Sequence, residues 1–329
     1  MGYREFLSKR NTVMAFAILW IMLYHTHLVT GFRIIDHITG IGYAGSDIFY
    51  FVSGMGIWFS LERSGSIWEY YKKRLLRIMP MWWCFIWLWI AFRMIWFDLS
   101  ALQAVTNIFA VESFFDIDHA FNWYISFLLV FYLIAPALKR LMEALPGVSG
   151  ILLICIIFIL LGYFAVDDKN IMIGFSRVPV FSLGMYFGGK MCKKPEGGFS
   201  FVQVAFWLAL APVGLLGAIY FGRDFLAGWH DGMLWYPLLI SVPGLYMLIC
   251  LIFRALPDFW ERPFDFIGRH TLSIYLVHIF IFEIYEKFLV GFGKITPALW
   301  HWPVILCVVA IGCVALEAAT AALTGRCRS

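Results

Sequence analysis

A histidine, an aspartate and a pair of arginines stand out in this sequence, because apolar helices rarely carry them without a use. His25 lies near the far end of an apolar run, TVMAFAILWIMLYHTHLV at 12–29, and Asp47 lies near the start of the next, GYAGSDIFYFVSGMGIW at 42–58. An imidazole titrates near working pH and is a natural general base. A carboxylate on its second ring nitrogen fixes the tautomer and steadies the imidazolium that forms. In YYKKRLLRIMP, at 70–80, Arg74 and Arg77 are three residues apart and share one face of a helical turn. Guanidinium presents a rigid fork of donors that suits phosphate. Positive charge at a membrane boundary also anchors topology, and spacing alone does not separate the two uses. Arg177 and His278 are further ionisable residues in apolar surroundings, where hydrogen bonding between helices is the commoner role. Trp123 and Tyr124 open another apolar run, at a depth where an aromatic belt is expected.

Long apolar helices must position these groups, and the composition supplies them. Of the 329 residues, 62% are hydrophobic, 19% aromatic and 14% charged. Soluble domains are nearer half apolar and a quarter charged, so this is the composition of a polytopic membrane protein. The formal charge of +4 implies no nucleic-acid partner. Seven cysteines form no CxxC and no metal-ligand spacing with histidine, and they read as packed thiols. Apolar runs of membrane-spanning length fall at 12–29, 42–61, 80–97, 121–138, 149–166, 172–189, 200–221, 233–253, 266–284 and 302–323. The expected fold is therefore all-α, a polytopic bundle of about ten transmembrane helices. The first run is of full membrane length with no small-residue cleavage site, so it reads as an uncleaved span. Lys and Arg concentrate in the N-terminal tail, in 62–80, at Lys139 and Arg140, in KMCKKPEG and in RCRS. The loop DLSALQAVTNIFAVESFFDIDHA has four acids and neither Lys nor Arg. That bias places both termini in the cytoplasm. His25 and Asp47 then reach similar depth, in the outer third of consecutive helices, and are expected to face each other across an internal cavity.

In order and spacing, ILWIMLYH, GSDIFYFVSGMGIWFSL, YYKKRLLRIMP, FNWYISFLLVFYLIAP and FIGRHTLSIYLVHIFIF resemble the membrane acyltransferase-3 family, integral membrane enzymes that O-acylate cell-envelope sugars. The resemblance spans essentially the whole chain. It implies a single membrane domain over 1–329, without the soluble hydrolase-like domain that some members append. The implied activity moves an acyl group, acetyl by expectation, from cytoplasmic acyl-CoA to a hydroxyl of an extracytoplasmic polysaccharide or other envelope glycan. Acyl-CoA is then a donor substrate and no cofactor stays bound. The implied setting is the bacterial plasma or inner membrane, in the company of polysaccharide biosynthesis or export proteins.

By position, the resemblance makes His25 the catalytic histidine and Asp47 the acidic residue of the second span, with Ser53-Gly54 following it. Arg74 and Arg77 fall on the acyl-CoA side, and Trp123 with Tyr124 matches an aromatic pair on the acceptor side. Arg177 and His278 join them as weaker acceptor-binding candidates. Glu317 matches an acidic residue late in the final span, although the proline that usually follows is absent. The family's first span also has a basic residue eleven positions before the histidine, and here that position is Met14. Eleven residues turn a helix through about 1100°, which leaves the two side chains roughly 20° apart. Arg10, one turn earlier, lies about 60° from the direction of His25 and roughly 22 Å along the axis, and it is the candidate replacement on the acyl-CoA side. General-base attack and an acyl-histidine intermediate both fit these residues. The alternative class is a multi-span transporter or flippase for an envelope precursor. Such proteins often carry paired halves with helices broken at midplane, and no such pairing is visible.

Overall fold

The structure is a computed structural model, which describes residues 1–27, 30–145, 147–164, 169–221, 235–294 and 300–325. Among the described residues the secondary structure is helical, apart from one isolated bridge between Gly2 and Gly198. The helices are α1 (Tyr3–Ser8), α2 (Arg10–His25), α3 (Arg33–Gly40), α4 (Ala44–Arg63), α5 (Ile67–Trp96), α6 (Ala101–Ile108), α7 (Trp123–Ala144), α8 (Ser149–Phe164), α9 (Lys169–Phe175), α10 (Val178–Lys193), α11 (Phe201–Phe221), α12 (Leu238–Ala255), α13 (Asp258–Arg269), α14 (Thr271–Glu283) and α15 (His301–Thr324). A π-helical stretch, Ile284–Val290, continues α14.

Among the described residues, six helical segments are long and apolar enough to cross a membrane: Ile67–Trp96, Trp123–Ala144, Ile171–Lys193, Phe201–Phe221, Leu238–Ala255 and His301–Thr324. The other runs singled out in the sequence form helices that are shorter or more polar. α2 and α8 have 16 residues each and α14 has 13. At 1.5 Å per residue, 16 residues span about 24 Å, less than the ~30 Å hydrocarbon core. α4 is 20 residues long, but Asp47, Glu62, Arg63 and several Ser and Gly residues lower its hydropathy.

Local signals fix where the functional helices start and how they pack. Asn122 caps α7 by accepting the Ile125 amide at 3.1 Å, which sets Trp123 and Tyr124 on its first turn. Ser66 caps α5 in the same way, accepting from the Glu69 amide, and so sets the register of Arg74 and Arg77. At the Arg10 end of α2, Asn11 donates to Asp265 at 2.9 Å, Thr12 donates to Glu261 at 3.0 Å, and Lys9 pairs with Glu261. Those contacts pin α2 against α13, and the bonds from Asn11 and Arg269 hold the Asp265 carboxyl below its ordinary value. At the other end of α2, Trp20 donates to the Ile38 carbonyl at 2.7 Å, which ties down α3.

The pairing of α4 with α10 is glycine-dependent. α4 and α10 pack so tightly that a Cβ on Gly54 would meet the Phe181 carbonyl at 2.1 Å, and one on Gly184 would meet the Phe51 carbonyl at 2.0 Å. Small residues of this kind let helix backbones meet inside a membrane. The consequence for chemistry lies at one end of the pair. Asp47 is on the first turn of α4 and Arg177 is the residue before α10, so the close approach brings acid and base together.

Candidate active site

His25 ends α2 and lines a cavity of about 500 Å³ together with Tyr43, Asn122, Trp123, Arg177 and Tyr275. Its ring lies against that of His278, with centroids 5.4 Å apart and planes 29° from parallel. His278 is fully buried on α14, and its Nδ1 donates to the Ile274 carbonyl at 2.8 Å. That bond leaves Nε2 as the ring nitrogen with a lone pair, and among the described residues it has no hydrogen-bond partner. His278 thus forms a rigid platform beneath His25. No hydrogen bond reaches the His25 ring among the described residues, so its nitrogens remain available to a substrate.

The expected pairing of Asp47 with His25 is replaced by another. The Asp47 carboxylate stands 3.9 Å from Nε of Arg177, and both side chains are 1% exposed. The guanidinium also donates from Nη1 to the Ile173 carbonyl at 3.0 Å and to Ser176 Oγ at 3.1 Å. It sits over the rings of Trp123 and Trp235, at 4.8 and 4.2 Å from the centroids. The cause is the tight α4–α10 contact, which commits the carboxylate to Arg177. Asp47 does not line the cavity itself, whereas its partner Arg177 forms part of the wall. Removing one member of a buried pair strands the other and costs about 3–5 kcal/mol. Arg177→Ala and Asp47→Ala are both expected to lower the melting temperature in detergent clearly, and a melting curve for each variant checks this.

A narrow passage of about 70 Å³ leads away from the His25 cavity, and Tyr275 lines both. Arg10, Met14, Ser53, Arg77 and Tyr124 line the passage. Four aromatic residues line it, Phe49, Tyr124, Tyr132 and Tyr275, with ring centroids 5.1 Å apart for Tyr124 and Tyr275 and 5.9 Å for Phe49 and Tyr124. The pair Trp123 and Tyr124 is thus divided, because successive helical residues point about 100° apart. Trp123 faces the His25 cavity and Tyr124 faces the passage.

Beyond the passage Arg77 also lines a groove of about 360 Å³ with Lys73 and Glu317. Arg74 turns elsewhere. It donates to the Gly56 carbonyl at 3.3 Å and lies over Tyr70 and Tyr132 at 5.9 and 5.8 Å. Arg10, Arg74 and Arg77 nevertheless lie within electrostatic reach of one another. Among the described residues none of the three forms an ion pair with a carboxylate. Glu317 does not join the His25 cavity. It accepts from His270 Nδ1 at 2.7 Å and from Ser273 Oγ at 2.6 Å, at the Arg77 end of the bundle.

His25 also borders a second cleft, of about 350 Å³. Its wall holds residues that the sequence reading passed over. Arg93 Nη1 donates to Glu283 Oε1 at 2.9 Å, and Trp89 Nε1 donates to Glu283 Oε2 at 2.8 Å. A usable signal was present: Arg93 and Glu283 are opposite charges inside the apolar runs 80–97 and 266–284. Four chambers are therefore strung through the bundle, with Arg77, Tyr275 and His25 each shared between neighbours.

Residues 13–318 match the family described as "Acyltransferase domain". The chain is also similar to the exopolysaccharide production protein ExoZ of Rhizobium meliloti (strain 1021), at 25% identity over 292 residues, which cover 84% of this chain and 86% of that protein. No solved structure matches.

Proposed function

The chain belongs to the acyltransferase-3 family, and on that premise we propose that it transfers an acyl group, acetyl as the first candidate, from acyl-CoA to a hydroxyl of an exopolysaccharide or related envelope glycan. The observation that carries this reading is the line of chambers from Arg10 and Arg77, neither paired with a carboxylate among the described residues, to His25. Converging guanidiniums without carboxylate partners call for an anion, and the phosphates of CoA are one. The narrow passage suits the thin pantetheine arm once its aromatic rings part. His25 stands where the thioester then arrives. The similarity to an exopolysaccharide production protein supports a glycan as acceptor.

The loop charges support ten spans with both termini in the cytoplasm. The arginines then face the cytoplasm, where acyl-CoA is made, and His25 faces the side where envelope glycans lie. α2 runs between these two ends, from Arg10 to His25.

In the proposed reaction His25 takes the proton of an acceptor hydroxyl as that oxygen attacks the thioester carbonyl. The tetrahedral intermediate carries an oxyanion, and Arg177 in the cavity wall supplies fixed positive charge to it. Collapse breaks the C–S bond, and the departing CoA thiolate takes the proton from the imidazolium. Asp47 is the positioning residue that holds Arg177, and His278 holds the plane of the His25 ring. Deleting the gene from its host is expected to leave exopolysaccharide secretion in place while removing the polymer's ester-linked acyl groups, read by NMR before and after mild alkali. Loss of secretion with acylation intact would overturn the reading and favour a transporter.

A further inference from the structure

We propose that the second cleft bordered by His25, which Arg177 does not line, is the acceptor subsite, and that it holds a neutral hexopyranose unit of the glycan with Glu286 as a hydroxyl-binding carboxylate. The assignment rests on the acyl-transfer reading and deepens it. Connectivity comes first. The donor passage opens into the His25 cavity through Tyr275, whereas the cleft shares no lining residue with that passage. The cleft meets the cavity at Tyr24, His25, Phe121 and Ile279. Donor and acceptor thus reach His25 through separate chambers, and the acceptor hydroxyl need not displace the donor to get there.

The chemistry of the walls selects the ligand. Asp118, Glu283 and Glu286 face the cleft together with Arg93, Lys287 and His27. Interspersed acids and bases suit an uncharged molecule with many hydroxyls. With three acids against Arg93, Lys287 and His27, the wall has no excess positive charge to select the phosphates of CoA or of a lipid headgroup. A volume of about 350 Å³ lies in the usual range for small-molecule sites.

The wall is fixed before any ligand arrives. Glu283 is saturated by Arg93, Trp89 and Lys287, the last at 3.4 Å. Arg93 is 7% exposed, stacks on Trp89 and Phe97 at 5.5 and 5.1 Å, and keeps a buried Nε that has no hydrogen-bond partner among the described residues. Glu286 differs. It is half-buried, and among the described residues no hydrogen bond reaches its carboxylate. It lies in the π-helical stretch Ile284–Val290. Such stretches give up good backbone hydrogen bonds and persist mainly where function holds them. Here the altered register follows directly on the turn that carries Glu283.

Kinetics of the full-length protein in nanodiscs test the assignment. The probes are radiolabelled acetyl-CoA and de-O-acylated oligosaccharides released from the host's own exopolysaccharide. Losing a hydrogen bond to a charged group weakens binding by about 10–100-fold. Glu286→Ala is therefore expected to raise the KM for oligosaccharide by about that factor, and Glu286→Gln by less, because its amide oxygen still accepts. The KM for acetyl-CoA is expected to stay within about twofold of wild type. An active wild type with an unchanged oligosaccharide KM in both variants overturns the subsite alone. A rise in the acetyl-CoA KM instead overturns it by placing Glu286 on the donor side. A wild type that transfers no label removes the acyl-transfer reading, and the subsite falls with it.

Discussion

His25→Ala is expected to lower acyl transfer by about 10²–10⁴-fold, the usual contribution of a general base, while the protein stays folded and still binds acyl-CoA. The geometry separates these effects. The His25 ring lies on His278 and borders two open volumes, and among the described residues it makes no hydrogen bond whose loss would strand a buried partner. Truncation thus removes a base and enlarges a cavity without breaking a network. Arg177 and Asp47 behave oppositely, because each is the other's buried counter-charge. A melting curve beside a transfer rate tells the cases apart: His25→Ala shifts the rate and Arg177→Ala shifts both. Transfer by His25→Ala close to that of wild type would remove His25 from the mechanism.

The second large effect is expected at Arg77. This side chain lines both the groove and the passage, so on the proposed route it would meet the donor at the entrance and again on the way in. Arg77→Ala is expected to raise the KM for acyl-CoA by about 10–100-fold, as for other lost hydrogen bonds to a charged group. Arg77→Lys restores the charge but not the fork, so only part of the loss returns. Arg74 answers differently. Its bond to the Gly56 carbonyl and its position over Tyr70 and Tyr132 tie it to packing between α4, α5 and α7. Arg74→Ala is expected to lower stability along with donor affinity. If lysine serves as well as arginine at 77 and donor KM does not move in the alanine variant, the basic cluster is a topology anchor only.

Much of this site was legible because charge is rare in apolar sequence. His25, Asp47, Arg177 and His278 each stand out in their runs, and the structure gathers all four at one end of the bundle. Their pairing was not legible, and α4 shows why. Its residues from Ala44 to Val52 are all buried, so it has no apolar face against a polar one to reveal which way Asp47 points. Depth follows from position along a helix, but direction needs an amphipathic pattern. What turned Asp47 to Arg177 was the meeting of Gly54 and Gly184 with opposing carbonyls, which no single-helix periodicity encodes. Met14, where the resemblance calls for a basic residue, lines the passage together with Arg10 and Arg77. The Arg93–Glu283 pair was missed because each charge lies near the end of its run and reads alone as an interfacial residue.

The most direct test of the account follows one labelled acetyl group. Purified wild-type protein and His25→Ala are reconstituted separately into proteoliposomes, with radiolabelled acetyl-CoA and de-O-acylated oligosaccharides from the host exopolysaccharide. The account predicts alkali-labile label on the oligosaccharide with wild type and almost none with His25→Ala, with equal binding of acetyl-CoA by both. Equal labelling by the two proteins, or no labelling by wild type, would contradict it.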